Sequence, residues 1–243
     1  MAIYTGVADA NGDFTVPFSS NYTSGEKVIV TAEKDSATKT IELHAPSEVI
    51  GAGGISFSGS FNNFPTNIGV ITLSGFTGEL AYGAFEAGNY SGNIFRCATG
   101  LIIGSGITVL ADYSFNGWPS ATSLTLPDGL LTIGVSAFNY WNSLQSIKIP
   151  ASVTSIGDYA FYSASMCTSL EILSTSLQIG SYAFANCSNL RNIKMHATTP
   201  PKLLTDVFQS LPSNCSIKVP QSSVAAYKAA SGWKTHSSKI SGY

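Results

Sequence analysis

The chain has 243 residues, of which 44% are hydrophobic and only 11% are charged, and its net charge is −2. This length and hydrophobic content allow a continuous buried core, but the charged fraction is well below the roughly 25% of typical soluble domains, so uncharged polar residues and glycine must cover much of the surface. The lack of a basic run argues against a nucleic-acid partner, and no apolar stretch approaches the roughly 18 residues that membrane insertion requires.

The N-terminal stretch, residues 1–46, predicts three short strands. The segments FTVPF, KVIVTAE and TKTIELHA are rich in β-branched and aromatic residues, and Asn11-Gly12 and Ser24-Gly25 are turn signals beside them. ADANGDFTV and SGEKVIVTAEKD resemble fragments of bacterial immunoglobulin-like repeats. A whole domain of that kind needs about 100 residues, so the resemblance implies a partial immunoglobulin-like β segment that caps the next part of the chain or joins an upstream stalk.

Residues 47–66 are rich in glycine and serine, with Ile55, Phe57 and Phe61 placed among the small residues. Such a composition is typical of connecting segments. We interpret this stretch as a linker that leads into a first, degenerate repeat unit.

A repeat of about 23 residues dominates the chain from residue 67 onward. The clearest unit, LQSIKIPASVTSIGDYAF, contains Ile147 and Ile149, whose alternation predicts a strand with inward apolar side chains, and Pro150, which ends that strand. One unit cannot bury this face alone, so the units must stack into a solenoid. The phenylalanines that end the units are separated by 30, 23, 23, 23 and 24 residues: Phe85, Phe115, Phe138, Phe161, Phe184 and Phe208.

These residues are similar to the BspA-like leucine-rich repeats of bacterial surface proteins, whose consensus is LxxIxIPxxVxxIGxxAFxxC. The resemblance covers about residues 68–243 and implies a mostly β leucine-rich-repeat solenoid of about six to seven rungs over residues 67–212. The tail CSIKVPQSSVAAYKAASGW resembles the C-terminal cap of that family. We therefore expect a cap over residues 213–243, with a short helix from Ser223 to Ser231 and Tyr227 facing inward to cover the last rung.

Two units depart from the consensus length. The interval between Phe85 and Phe115 is seven residues longer than the usual one, with the excess in residues 86–100. In the unit that ends at Phe184, we align LEILST with the start of the consensus, so three residues are lost before its Ile-Gly pair and gained after Phe161. Both departures predict irregular loops, which on a rigid scaffold often carry function.

One position of the repeat accepts either cysteine or tryptophan. Cys187 lies three residues after its phenylalanine, and Trp118 and Trp141 occupy the same position in other units. This exchange predicts an interior packing position and free buried thiols. A disulfide between Cys167 and Cys187 is the alternative.

Catalytic motifs are missing from the sequence. His44, His196 and His236 lie in unrelated segments without metal-ligand spacing, which predicts ordinary surface or loop histidines. The chain has no GxSxG, Walker A or GxGxxG motif, and its acidic residues are scattered. We therefore expect no enzyme activity, no metal site and no cofactor.

The outward positions of the predicted strands form a first candidate binding surface. Strands about 4.8 Å apart set equivalent side chains in a column, and the C-terminal half of this column is cationic. We predict ligand contacts there by Lys148, Lys194, Lys218, Arg191 and Gln145; the alternative is solvated lysines that discourage edge pairing. The aligned column is Thr72, Ile102, Thr125, Lys148, Ser174, Lys194 and Lys218, and the neighbouring row is Gln145, Glu171 and Arg191.

A second candidate surface is aromatic. Tyr113, Tyr159 and Tyr182 each lie two residues before the phenylalanine of their unit. Such a ladder can stack on sugar rings or contact a protein partner, whereas packing between rungs is the alternative role. Trp118 and the Tyr140-Trp141 pair are expected to add aromatic surface near one edge.

The resemblance and the missing catalytic motifs together predict a non-catalytic recognition or adhesion module that binds a host surface protein or a glycan. Two settings fit, a bacterial cell-surface adhesin and the receptor-binding tip of a phage tail fibre, which would be trimeric. Both place the chain outside the cell or on a virion. The segment MAIYTG shows no secretion signal, which favours the phage setting. The alternative function is a structural spacer or assembly module without its own ligand.

Overall fold

The computed structural model describes residues 14–18, 27–34, 37–44, 53–57, 67–87 and 94–243, the first four ranges as strand backbone. Strands β1 (Phe14–Phe18), β2 (Lys27–Lys34) and β3 (Ala37–His44) coincide with the three predicted N-terminal strands. β2 and β3 form an antiparallel hairpin, and β1 pairs antiparallel with β4 (Gly53–Phe57). Apart from β4, the predicted linker 47–66 lies outside the described residues.

From residue 69 onward, the strands are of two kinds, long and short, and each kind pairs in parallel. The long strands fall into two sheets that divide between residues 125 and 146, and the short strands form a third sheet. β4 pairs antiparallel with the first long strand and so joins the N-terminal strands to the repeat backbone. The long strands are β5 (Gly69–Ser74), β7 (Ala98–Ile103), β9 (Ser123–Thr125), β11 (Ser146–Ile149), β13 (Ser169–Ile172), β15 (Asn192–Met195), β16 (Ser216–Val219) and β17 (Ile240–Gly242). The short strands are β6 (Gly78–Leu80), β8 (Ile107–Leu110), β10 (Thr132–Ile133), β12 (Ser155–Ile156) and β14 (Gln178–Ile179).

The pairing register repeats every 23 residues through the middle of the stack. Ile147 pairs with Leu170 in the long ladder, and Ile133 pairs with Ile156 in the short one. All four side chains point inward and are buried. The predicted mostly β solenoid of leucine-rich repeats is therefore confirmed.

The repeated phenylalanines form one continuous stack through the core. All six are buried, and the centroids of successive rings lie 5.1 to 5.8 Å apart with nearly parallel planes. Each rung thus covers the ring of its neighbour, so the apolar face of a rung is buried only when the next rung is present.

The repeat position that holds tryptophan in some rungs and cysteine in another lies beside this stack and is buried, as predicted. Trp118 and Trp141 are fully buried, and their indole Nε1 groups donate to the carbonyl oxygens of Phe85 and Phe115, one rung back, at 2.8 and 2.7 Å. Cys187 Sγ lies 3.6 Å from the equivalent carbonyl oxygen, that of Phe161. The expectation that the two tryptophans add to the aromatic surface is wrong, because each indole is enclosed and has its hydrogen-bond partner inside.

The cysteines are free thiols, and Cys167, Cys187 and Cys215 are buried. Burial raises the pKa of Cys167 to about 11 and that of Cys187 to about 12, so both are protonated and unreactive at pH 8. We expect iodoacetamide at this pH to label both residues only after unfolding, whereas the half-buried Cys97 is labelled in the folded chain. Peptide mass spectrometry checks this, and labelling of Cys187 at the same rate in folded and unfolded chain would contradict it.

The predicted shift in the unit that ends at Phe184 is wrong. Leu170 pairs with Ile147 on one side and Ile193 on the other, so it is an inward strand residue and not the first leucine of the consensus. That place belongs to the buried Cys167, which lies 23 residues after Leu144. The segment after Phe161 therefore has the ordinary length.

The second irregular loop was predicted over residues 86–100. Residues 88–93 lie outside the described residues, Ile94–Cys97 form a 3-10 turn, and Ala98 begins β7.

The C-terminal cap contains the predicted short helix, α1 (Val224–Ala229), and Tyr227 faces inward. Tyr227 Oη donates to the carbonyl oxygen of Ala197 at 2.9 Å, and Trp233 Nε1 donates to that of Pro201 at 2.8 Å. The Trp233 ring contacts Phe208, the last member of the phenylalanine stack, at 5.7 Å between centroids. The cap thus covers the apolar end that the last rung would otherwise expose.

Candidate functional site

Five rungs contain two residues in the left-handed backbone region, one two positions before the phenylalanine and one two positions after it, and the rung of Phe85 has only the first of them. A left-handed backbone costs an ordinary L-residue roughly 1–2 kcal/mol, and glycine, asparagine and aspartate tolerate it best. The positions before phenylalanine are Gly83, Tyr113, Ser136, Tyr159, Tyr182 and Asp206, with φ of 49 to 60°. The positions after it are Gly117, Tyr140, Ser163, Asn186 and Ser210, with φ of 59 to 84°.

Tyrosine occupies four of these positions, and three of the four lie in one aromatic cluster. Tyr159 and Tyr182 stack with centroids 5.1 Å apart and an interplanar angle of 11°. Tyr162 contacts Tyr159 edge-on at 5.5 Å and Tyr140 at 6.1 Å. Tyr140 is 49% exposed and Tyr159 38% exposed. We call Tyr140, Tyr159, Tyr162 and Tyr182 the tyrosine surface.

The fourth left-handed tyrosine, Tyr113, belongs to a separate pair. Its ring lies 5.4 Å from that of Tyr82, which is 70% exposed. Ser136 occupies the equivalent position in the rung between Tyr113 and Tyr159, so the predicted ladder is interrupted there. The structure thus brings Tyr159 and Tyr182 together, as expected, and adds Tyr162, which sequence reasoning missed.

Polar neighbours hold the tyrosine surface at its C-terminal side. Asn186 Nδ2 donates to Tyr162 Oη at 2.7 Å. Desolvation, followed by the carboxylate of Asp206, raises the pKa of Tyr182, so this phenol stays protonated at neutral pH. The tyrosine surface therefore offers aromatic rings and hydroxyl groups to a partner.

Across the paired strands β11, β13, β15 and β16, the charged column differs from the predicted one at a single rung. Glu171 pairs with Lys148 on one side and Lys194 on the other, and Lys194 pairs with Lys218. The placement of Ser174 in this column is wrong: that residue lies beyond the end of β13 and is only 1% exposed. The error has the same origin as the misplaced Leu170.

Gln145 and Arg191 lie in one row, just before the long strands. The amide of Thr168 donates to the carbonyl oxygen of Gln145 at 2.9 Å, and the amide of Arg191 donates to that of Thr168 at 3.0 Å. Thr168, not Glu171, is thus the member of this row between Gln145 and Arg191. The Arg191 guanidinium donates to the carbonyl oxygen of Ser188 at 3.4 Å and to Asn189 Oδ1 at 3.3 Å.

Glu171 is the centre of a small polar cluster. His196 Nε2 donates to Glu171 Oε1 at 2.9 Å, and Lys194 Nζ lies 3.3 Å from the same oxygen. These contacts, first the hydrogen bond from His196 and then Lys194, lower the pKa of Glu171. The Lys194 ammonium also lies 5.1 Å from the ring centroid of Tyr243. Sequence reasoning missed the role of His196, although its place two residues after Lys194 puts it on the same face of the strand.

Within the described residues, no group of three or more His, Cys, Asp or Glu side chains is arranged to hold a metal ion. The same part of the chain contains no helix that is long and apolar enough to cross a membrane.

Comparison with known proteins supports the repeat assignment. A family model described as "BspA type Leucine rich repeat region" matches six copies over residues 98–227. The crystal structure of a leucine-rich repeat protein from T. pallidum superposes with a TM-score of 0.52 at 20% identity, over 72% of this chain and 90% of that one. At this identity the likeness shows the shared fold alone.

A leucine-rich repeat protein from Bacteroides ovatus has a TM-score of 0.48 at 18% identity, over 79% of this chain and 46% of that one. No curated protein matches the chain. The family model covers more than half of the chain.

Proposed function

The chain belongs to the BspA-type leucine-rich-repeat family, and from this premise we propose that it is a non-catalytic recognition module whose tyrosine surface binds a partner protein. Repeats of this type generally mediate protein–protein or surface interactions. The observation that carries the proposal is the presence of exposed tyrosines at left-handed backbone positions.

The backbone of the rung does not require tyrosine at these positions. Gly83 and Asp206 occupy the position of Tyr159 in other rungs, and Asn186 occupies that of Tyr140. Each of these residues adopts the left-handed region at lower cost than tyrosine does. An aromatic side chain that is both exposed and conformationally unfavourable is therefore best explained by a contact outside the chain.

The geometry of the rings favours a protein partner over a glycan. Sugar recognition by aromatic residues uses the open face of a ring, but the facing sides of Tyr159 and Tyr182 cover each other at 5.1 Å. This stack leaves less open ring face for a sugar than two separate rings would. Tyrosine in this form provides a large, rigid and amphipathic contact area, which is characteristic of protein interfaces.

We propose that this binding takes place at a cell or virion surface, on either a bacterial adhesin or a phage tail-fibre tip. The low charged fraction of 11% and the family resemblance support an exposed setting. The N-terminal resemblance supports a role for residues 1–46 as part of an immunoglobulin-like stalk. A structural spacer without its own ligand is the competing function.

A binding panel tests the proposal. The purified chain is applied to whole bacterial cells, to extracellular-matrix proteins and to a glycan array, alongside the double variant Tyr140→Asn/Tyr159→Gly. We expect binding to a protein or to protease-sensitive sites on cells, with at least a tenfold loss for the double variant, because tyrosine is enriched among the few interface residues that contribute about 2 kcal/mol or more.

The control is Leu131→Asn, which removes an exposed apolar side chain outside the tyrosine surface and should bind like the unmodified chain. Tyrosine-dependent binding to glycans alone would replace the protein partner with a sugar. Failure to bind any of the three surfaces would favour the spacer.

A further inference from the structure

The outward face of the C-terminal long strands presents two adjacent columns of polar side chains. The side chains of β11, β13, β15 and β16 alternate between buried and accessible, and the accessible ones align across the ladder. The first column consists of Ser146, Ser169, Asn192 and Ser216, and the second of Lys148, Glu171, Lys194 and Lys218. Together they form a regular hydrogen-bonding face beside a charged row.

The charged row has an excess of positive charge at its two ends. Glu171 is engaged by Lys194 and His196, so its carboxylate is already compensated. Lys148 and Lys218 are exposed, and among the described residues no carboxylate forms an ion pair with either of them. Both ammonium groups are therefore available to an anionic ligand.

The spacing of the columns distinguishes between two kinds of linear anion. Neighbouring parallel strands are about 4.8 Å apart, so side chains two strands apart recur at about 9.6 Å. In an extended peptide, side chains on the same side recur at roughly 6.6 Å, which does not match the spacing of about 4.8 Å between residues of a column. A pyranose unit in an extended glycan is close to the strand separation in length, so acidic groups on alternate sugars match Lys148 and Lys194, which lie two strands apart.

We infer that this face is a second binding site, for a linear acidic glycan. Acidic groups on alternate sugars contact Lys148 and Lys194, which are two strands apart, and Lys218 on the next strand adds positive charge to the same row. The hydroxyl groups of the glycan bond to the serine and asparagine column. The site uses the strand side of the rung and shares no residue with the tyrosine surface, so it stands independently of the proposed protein partner.

Isothermal titration of the full chain with a hyaluronate oligosaccharide tests this site, because hyaluronate carries a carboxylate on every second sugar. We expect binding that weakens with added salt, and a loss of about tenfold or more in Lys148→Gln/Lys218→Gln. Lys228→Gln, which removes an exposed lysine on α1, is the matched control and should bind normally. Circular dichroism confirms that each variant is folded.

Several outcomes would overturn the inference. They are an absence of hyaluronate binding, equal binding of a neutral cello-oligosaccharide, and unchanged affinity in the double lysine variant. Tighter binding of a poly-glutamate peptide than of hyaluronate would make the face a peptide site instead. Tyr140→Asn/Tyr159→Gly should keep full hyaluronate affinity, so failure at one surface is distinguishable from failure at the other.

Discussion

Replacement of Trp141 with alanine is expected to lower the free energy of unfolding by about 3–5 kcal/mol. The indole is fully buried, stacks on Trp118 at 5.4 Å and contacts Phe138 edge-on at 5.3 Å. Alanine would therefore leave a cavity in the middle of the stack. Urea unfolding followed by circular dichroism measures the loss.

The variant Trp141→Phe separates packing from hydrogen bonding. It keeps an aromatic ring but removes the indole N–H that donates to the carbonyl oxygen of Phe115 at 2.7 Å. An unsatisfied buried carbonyl costs about 1–3 kcal/mol, so this variant should lie between the native chain and Trp141→Ala. A loss below about 1 kcal/mol in Trp141→Ala would mean that the position is not a core position.

The second large effect is expected for Gly157→Ala. A Cβ atom at residue 157 would lie 2.5 Å from the amide nitrogen of Val135 and 2.6 Å from the carbonyl carbon of Gly134, both backbone atoms of the preceding rung. The rung can separate from its neighbour only by straining its parallel pairing. We expect a destabilisation of about 3 kcal/mol, at the upper end of the range for overpacked cores.

Gly129→Ala is the matched control for this substitution. The nearest atom to its added Cβ is the carbonyl oxygen of Ser105 at 3.5 Å, which is an ordinary contact distance. Its unfolding midpoint in urea should therefore stay close to that of the native chain. Equal midpoints for Gly157→Ala and Gly129→Ala would show that the rungs are not packed backbone against backbone at this glycine.

The architecture was predictable because the residues that must pack on each other in successive rungs also recur at a fixed spacing in the sequence. The ring of Phe161 must lie on that of Phe138, so the two residues recur at the rung spacing. Cys187 occupies the repeat position that is tryptophan in other rungs, which indicated that this position is buried. The register around Leu170 was mispredicted because a cysteine, Cys167, fills the leucine position, and the pattern then fitted the wrong leucine. The placement of Ser174 followed from that single error.

The candidate surfaces were harder to predict for a physical reason. The sequence does not show whether a given tyrosine adopts the left-handed backbone conformation. The energetic cost of placing Tyr159 or Tyr140 in that conformation therefore emerged only from the φ angles. The contact between Glu171 and His196 spans 25 residues, one rung plus two positions, and becomes apparent only when the register is correct. Sequence therefore predicted what the rungs share better than where they differ.

The proposed role of the tyrosine surface is binding and not stability, and the variant Tyr140→Asn/Tyr159→Gly tests this role when both properties are measured on the same sample. Relief of two left-handed backbones should offset the lost ring contacts of about 0.5–1.5 kcal/mol each. The predicted result is a free energy of unfolding within about 1 kcal/mol of the native value, together with at least a tenfold loss of partner affinity. A loss of about 3 kcal/mol or more in stability with unchanged affinity would contradict the claim and make these tyrosines packing residues.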